Sequence, residues 1–298
     1  MVSIHTDGPN TSVFPARFSY VDEKTEPRDE KPYQLVSDIG SSTFPKTNFG
    51  FRTYEEERVH NIRGCGCEHT FQLDEHGFCF RREPTLFTDW DSREQVELRH
   101  FPEVEAILKK HICGADHVEI FDWRRRGQAP NGVQVKGSRA DMNNPLHALP
   151  PAHQSPMGAL KRARMILGDR APHMLQGRVR IINVWRPLFS QVESDPLAFC
   201  DTRSLKPDSL METDLVRKSY TGATMFVRYR PGYKWFFMDR QTKDEISIFK
   251  SFDSDNIVQA PYCAHASFSM KKLRPYAKPR NSVEFRALVF TLPKNPVQ

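Results

Sequence analysis

The amino-acid sequence predicts a mostly β protein, an antiparallel barrel or sandwich with flanking helices, and three observations lead there. Beyond residue 177, five or six strand-like segments follow at short spacing with no helix between them. The chain carries 22 prolines, which lack a backbone N–H and interrupt helices. Helical periodicity is confined to short stretches ahead of residue 170.

In chain order, residues 1–50 are polar and rich in Pro, Ser and Thr, which predicts an irregular arm around a single main domain at 51–298. The charges from Phe51 to His60 are helical in character, Asn61-Ile62-Arg63-Gly64 breaks the pattern, and a hairpin is expected through Phe71 and Phe78 to Phe80. Val104, Ile107 and Leu108, spaced by three and one, place an amphipathic helix over 103–113, and Val118 to Phe121 reads as a strand. Residues 127–151 are loop-like, with turn signals at Asn143-Asn144-Pro145 and Pro150-Pro151. A helix follows over Met157 to Leu167, stopped by Gly168. The strand segments are then Arg178 to Trp185, Met225 to Tyr229, Lys234 to Met238, Glu245 to Phe249, Ala264 to Phe268 and Val283 to Phe290.

Bulk properties bound the function. The 298 residues are 38% hydrophobic and 27% charged, ordinary for a globular chain, with a net charge of +6. Nucleic-acid binding would gather basic residues with aromatics. Here they are dispersed, Arg124-Arg125-Arg126 being the longest run, so a small-molecule substrate is expected and a nucleic acid is not. No apolar stretch reaches the roughly 18 residues that span a bilayer, and no apolar leader is present, so the expectation is a cytoplasmic protein without membrane insertion. Six cysteines without regular spacing are expected to be reduced thiols. No heptad or apolar helix face sets an oligomeric state.

Three groups of residues invite a chemical reading. Cys65-Gly66-Cys67-Glu68-His69 with His76 and Cys79 offers metal-binding residue types, but one intervening residue makes it hard for both thiolates to join a tetrahedron, and a Gly-containing turn explains the segment equally. His265 and Arg286 lie on predicted strands among apolar residues. A buried arginine needs an anion or many acceptors, either a bound carboxylate or a neighbour such as Glu284 or Asp253. His147, His153 and Gln154 precede the Met157 helix, where a histidine suits acid–base work or hydrogen bonding at the surface.

Several segments together resemble a known family: Asn61-Ile62-Arg63-Gly64, Gln154-Ser155-Pro156-Met157-Gly158-Ala159, Asn183-Val184-Trp185-Arg186-Pro187-Leu188, Cys200-Asp201-Thr202-Arg203, His265-Ala266-Ser267-Phe268 and Ser282-Val283-Glu284-Phe285-Arg286. The chain is similar to fungal gibberellin desaturase-like and aspergillic-acid hydroxylase-like enzymes. The resemblance implies a double-stranded β-helix (jelly-roll, cupin-like) core. It also implies that an early His-x-Asp and a later histidine bind iron, and that a last-strand arginine grips 2-oxoglutarate. His265 and Arg286 match the later two. Pro151 stands where the first histidine belongs and His153 where the aspartate belongs.

Because proline offers a metal no donor and the carboxylate is missing, the leading expectation is a cofactor-free, metal-independent cyclase or isomerase of a terpenoid or polyketide, such as a [4+2] Diels–Alderase. Its expected donors are His153, Lys250, Asn183 and Tyr229. Arg286, His265, Trp185, Trp235, Phe226, Phe237 and Gln154 would bind substrate. The alternative is an Fe(II)/2-oxoglutarate-dependent hydroxylase or desaturase holding iron through His265, His153 and His147. A third reading is a catalytically dead binding protein.

Overall fold

The computed structural model describes residues 12–35, 45–127, 151–218, 221–270 and 274–293. Fourteen strands are found among them: β1 (Val13–Val21), β2 (Tyr33–Leu35), β3 (Phe51–Asn61), β4 (Phe78–Arg82), β5 (His117–Arg126), β6 (Pro151–Gln154), β7 (Arg178–Pro187), β8 (Leu197–Cys200), β9 (Leu210–Val216), β10 (Thr221–Val227), β11 (Trp235–Phe237), β12 (Glu245–Asp253), β13 (His265–Ser267) and β14 (Ser282–Thr291). The helices are α1 (Leu73–His76), α2 (Arg93–Gln95), α3 (Phe101–His111), α4 (Pro156–Leu167) and α5 (Ala171–Met174). The strands form three sheets in the orders β1-β3-β11-β8-β13, β2-β9-β10-β6 and β4-β12-β7-β14-β5. This mostly β architecture is the double-stranded β-helix expected from the sequence.

The β4-β12-β7-β14-β5 sheet organises the core because alternate residues face opposite sides. Val184, Ile246, Ile248, Val283, Phe285, Ala287 and Val289 pack outward against Val104, Ile107 and Leu108 of α3. The inner face changes character along its length. Val179, Ile181, Leu288 and Phe290 meet Ala159, Ala163 and Leu167 of α4, whereas Trp185 and Phe249 join Phe78, Phe80 and Phe199 in an aromatic cluster. Between these apolar ends lie Asn183 on β7 and Glu284 and Arg286 on β14. A polar band inside an apolar barrel marks a place for a ligand.

Local chemistry explains the helix limits. Ser155 caps α4 by accepting from the Gly158 N–H, Pro156 occupies the first turn and Gly168 ends the helix. α3 begins at Phe101 and a π-helix over Val96–His100 leads into it.

Four local expectations are corrected. The polar first fifty residues contain β1 and β2, and β1 pairs along its length with β3. Phe51–Asn61 is that strand rather than a helix; its outer charges face solvent while Val59 and Asn61 are buried. The hairpin at Phe71 to Phe80 is instead α1, closed by Gly77 at φ +90°, followed by β4. Cys65 and Cys67 form a disulfide, because positive φ at Gly64 and Gly66 curls the chain back on itself; Cys79, Cys113, Cys200 and Cys263 are free thiols. The loop at 127–151, including His147, falls almost wholly outside the described residues. No described helix is long and apolar enough to cross a membrane.

Candidate active site

His265 begins β13, and Ala266 turns into the core of the β1-β3-β11-β8-β13 sheet, so His265 and Ser267 face the opposite way, toward the inner face of the β4-β12-β7-β14-β5 sheet. The His265 ring lies 4.5 Å from the Phe249 ring. Its Nδ1 stands 3.0 Å from the Cys263 carbonyl oxygen. A carbonyl only accepts, so Nδ1 carries the proton, and a neutral ring then presents a lone pair at Nε2. Burial holds the His265 pKa below its ordinary value, against the smaller opposing pull of Glu284. The ring is therefore in the form that binds a metal.

Arg286 lies opposite Asn183 of β7 and Asp122 of β5. Among the described residues the nearest carboxylate is Asp122, 3.7 Å away, a loose contact that leaves guanidinium N–H groups unused. Among the same residues Arg286 Nε has no partner, and neither has Asn183 Oδ1, although Asn183 Nδ2 donates to Ser251 Oγ at 3.0 Å. A bulge in β5 between Ile120 and Asp122 lets Phe121 lie beneath the Arg286 guanidinium at 5.7 Å. Burial also lowers the Arg286 pKa. His265 and Arg286 are densely enclosed yet keep some solvent contact, as groups in the wall of a deep recess do.

The expected site residues divide on inspection. Asn183, Trp185 and Arg286 lie on the inner face of the β4-β12-β7-β14-β5 sheet, toward which His265 faces. Lys250 is set apart: its ammonium is sealed between Asp74 at 2.5 Å and Asp253 at 2.6 Å, and Arg178 bonds both carboxylates. Asp253 thus pairs with Lys250 and Arg178. Tyr229 stacks on Tyr54 at 3.9 Å within the cluster that also holds Trp235 and Phe237, while Phe226 packs with Phe49 and Phe51. These four aromatics are core. Gln154 Nε2 donates to the Gly158 carbonyl at 3.0 Å, steadying the entry to α4. His153 lies on β6 opposite Met225 of β10, and the β6 backbone passes within 8 Å of β13, Cα to Cα. Position 153 and His265 therefore come from neighbouring strands of different sheets.

Two further polar residues lie nearby. Glu284, expected only as a possible partner of Arg286, shares its face of β14. Arg280 lies over the Trp185 ring at 5.7 Å and donates to Ser267 Oγ at 2.6 Å. The period-two pattern of β14 marks Glu284, but Arg280 sits in a proline-flanked connection with no periodicity. A separate surface recess of about 350 Å³, lined by Asp116, His117, Arg170, His173, Met174 and Leu292, holds none of the expected site residues.

The acid end of 2-oxoglutarate fits this arrangement, because a carboxylate accepts from an enclosed guanidinium whose Nε is unsatisfied. The iron end fits in part. His265 presents a lone pair, Pro151 has no donor, and among the described residues no three His, Cys, Asp or Glu side chains are grouped to hold a metal.

Comparison with known proteins decides between the readings. Residues 18–290 match the family described as the oxidoreductase/YMDC permease-like domain. The chain is 31% identical over 271 residues to the Fe(II)/2-oxoglutarate-dependent dioxygenase nvfI of Aspergillus novofumigatus, covering 88% of this chain and 91% of that protein. It is 31% identical to the hydroxylase/desaturase CTB9 of Cercospora beticola, covering 80% and 78%. The solved structure of the iron and alpha-ketoglutarate-dependent endoperoxidase NvfI superposes with a TM-score of 0.79 at 26% identity, over 94% of this chain and 99% of that one. NvfI is named as an enzyme dependent on iron and 2-oxoglutarate, and CTB9 as a hydroxylase/desaturase. They overturn the expectation of a cofactor-free, metal-independent cyclase, which weighed two substituted positions above a scaffold shared almost from end to end. With a family match across most of its length and near-complete alignment to enzymes of one kind, the chain belongs to the fungal Fe(II)/2-oxoglutarate-dependent dioxygenases.

Proposed function

We propose that this protein is an Fe(II)/2-oxoglutarate-dependent oxygenase, a hydroxylase or desaturase, acting on a small fungal metabolite such as a terpenoid or polyketide. The carrying observation is the enclosed Arg286 guanidinium, with its Nε unsatisfied, on the inner wall toward which His265 also faces. When bound, the two cofactors supply oxidation of an organic substrate by dioxygen, coupled to conversion of 2-oxoglutarate into succinate and carbon dioxide.

The protein's own residues define what is held where. Arg286 binds the distal carboxylate of 2-oxoglutarate, and Asn183 sets the depth of that carboxylate on the sheet. His265, held by the Cys263 carbonyl, is one iron ligand. Position 153, which β6 brings beside β13, is where a second ligand would be supplied. Trp185 and Phe249 keep water from the reacting end, which strengthens charge interactions there.

Purified protein reconstituted anaerobically with Fe(II) and 2-oxoglutarate tests this. The expected result is binding of 2-oxoglutarate and iron-dependent succinate release stimulated by fungal metabolite extract and stopped by chelator. Absence of both 2-oxoglutarate binding and succinate release would overturn it.

A further inference from the structure

Arg280 differs from the other deeply placed arginines. Arg180 and Arg186 are 2% and 1% exposed, sealed from any ligand and fixed by protein acceptors: Arg180 donates to the Cys113 and Gly114 carbonyls and Thr291 Oγ1, and Arg186 to the Glu83 and Lys243 carbonyls. Their role is structural. Arg280 is held by one corner. Its Nη1 donates to the Asp195 carbonyl and to Ser267 Oγ, while Nε and Nη2 have no protein partner among the described residues. The side chain keeps solvent contact although protein atoms crowd it, so its open edge meets solvent rather than packed core.

No carboxylate of the described residues lies within ion-pair distance of Arg280. Asp195 and Glu284 are near enough to favour its charge, but burial and Arg126 oppose it. A cation taken largely out of water without an anion is costly, and an entering oxyanion would relieve that cost. The position indicates which oxyanion. Ser267 and His265 are two residues apart on the same face of β13, about 7 Å along the strand, and Arg280 is tethered at the Ser267 end. Arg286 is committed to the cosubstrate in the proposed function. The Trp185 ring, itself buried, backs the guanidinium at 5.7 Å.

We propose that Arg280 is the substrate anchor: it binds a carboxylate of the organic substrate, held several bonds from the carbon presented beside His265. The substrate class is accordingly an amphipathic metabolite acid rather than a neutral terpenoid or polyketide. This inference rests on assigning Arg286 to 2-oxoglutarate.

The test uses full-length protein, with decanoate and decanamide as probes, titrated calorimetrically with and without saturating 2-oxoglutarate. With 2-oxoglutarate present, decanoate is expected to bind at least tenfold more tightly than decanamide. Arg280→Gln removes that preference and leaves 2-oxoglutarate affinity within twofold of wild type; Arg280→Lys retains part of the preference and guards against a folding defect in the first variant. Equal binding of acid and amide to wild type, or an unchanged preference in Arg280→Gln, would overturn the proposal. So would loss of 2-oxoglutarate affinity in Arg280→Gln, which would make Arg280 a cosubstrate arm. Failure of wild-type protein to bind 2-oxoglutarate would instead strike the proposed function, and the acid-over-amide comparison without cosubstrate would still read out Arg280.

Discussion

Arg286 and Asn183 stand opposite each other across β14 and β7, and each leaves one buried polar atom, Nε and Oδ1, without a partner. Unsatisfied groups of this kind cost about 1–3 kcal/mol each, so their juxtaposition favours a ligand that bonds there. Arg286→Gln is expected to weaken 2-oxoglutarate binding by about 30- to 1000-fold, the range for losing a buried charge-assisted contact. Its melting temperature should stay level or rise, since an incompletely paired cation has been removed. Calorimetry with 2-oxoglutarate and a thermal melt separate the two effects.

Restoring the family's metal motif makes a second test. Pro151→His with His153→Asp reinstates two ligands, one of them a carboxylate, and is expected to raise iron affinity at least tenfold over wild type. His265→Ala in either background should lose iron. Metal analysis after gel filtration reads both.

A pH test follows from three enclosed imidazoles. Burial lowers the pKa of His76, His100 and His265 from the ordinary 6.5. Each is neutral when folded and takes up a proton more readily when unfolded. Their contribution to stability is therefore fully present above about pH 6.5 and declines as pH falls from there through the lower folded values. Melting temperature should drop by several degrees between pH 7.5 and 5.5, above the range in which the paired carboxylates are protonated. Replacing His100 with Gln should flatten part of that slope.

Lys250→Met distinguishes support from chemistry. It removes one of the two cations paired with Asp253, leaving Arg178 in place, and should cost about 2–3 kcal/mol. Cosubstrate affinity should change less than twofold. A denaturant titration beside a 2-oxoglutarate titration gives both numbers.

Gly77→Ala reaches the site from outside. A Cβ there would fall 2.5 Å from the Tyr262 carbonyl oxygen and 2.9 Å from Cys263 Cβ, at φ +90°. A loss of about 3 kcal/mol is expected. Gly77 accepts from the Lys250 N–H, Lys250 from the Cys263 N–H, and Cys263 from His265 Nδ1. Iron affinity should consequently fall even in the fraction that stays folded, as metal analysis of the native fraction would show.

These side chains differ in how plainly the sequence announced them. β7 and β14 were legible because long apolar alternation survives inside one strand, and His265 and Arg286 sit in motifs on such strands. β3 was not. Glu55 and Glu56 are exposed and Glu57 is half-buried, a run of three acids that masks the alternation, and what makes the segment a strand is pairing with β1 and β11, the latter some 180 residues away in sequence. β1 did carry a signal in Phe14, Ala16, Phe18 and Tyr20, three of them buried, which Pro15 obscured. Lys250 suggested a pocket donor because a lysine in an apolar strand demands a partner, and Asp74, 176 residues earlier, gave no sign of being that partner. Pro151 and His153 were given too much weight against the scaffold.

The parts of the proposed site come from different sheets: position 153 from the edge of β2-β9-β10-β6, His265 from the edge of β1-β3-β11-β8-β13, and Arg286 from within β4-β12-β7-β14-β5. No single sheet contains a working fraction of the machinery. Separation of one edge strand would disperse the ligands while most backbone hydrogen bonds persist, so on heating or in denaturant, inactivation should run ahead of the loss of β-sheet signal.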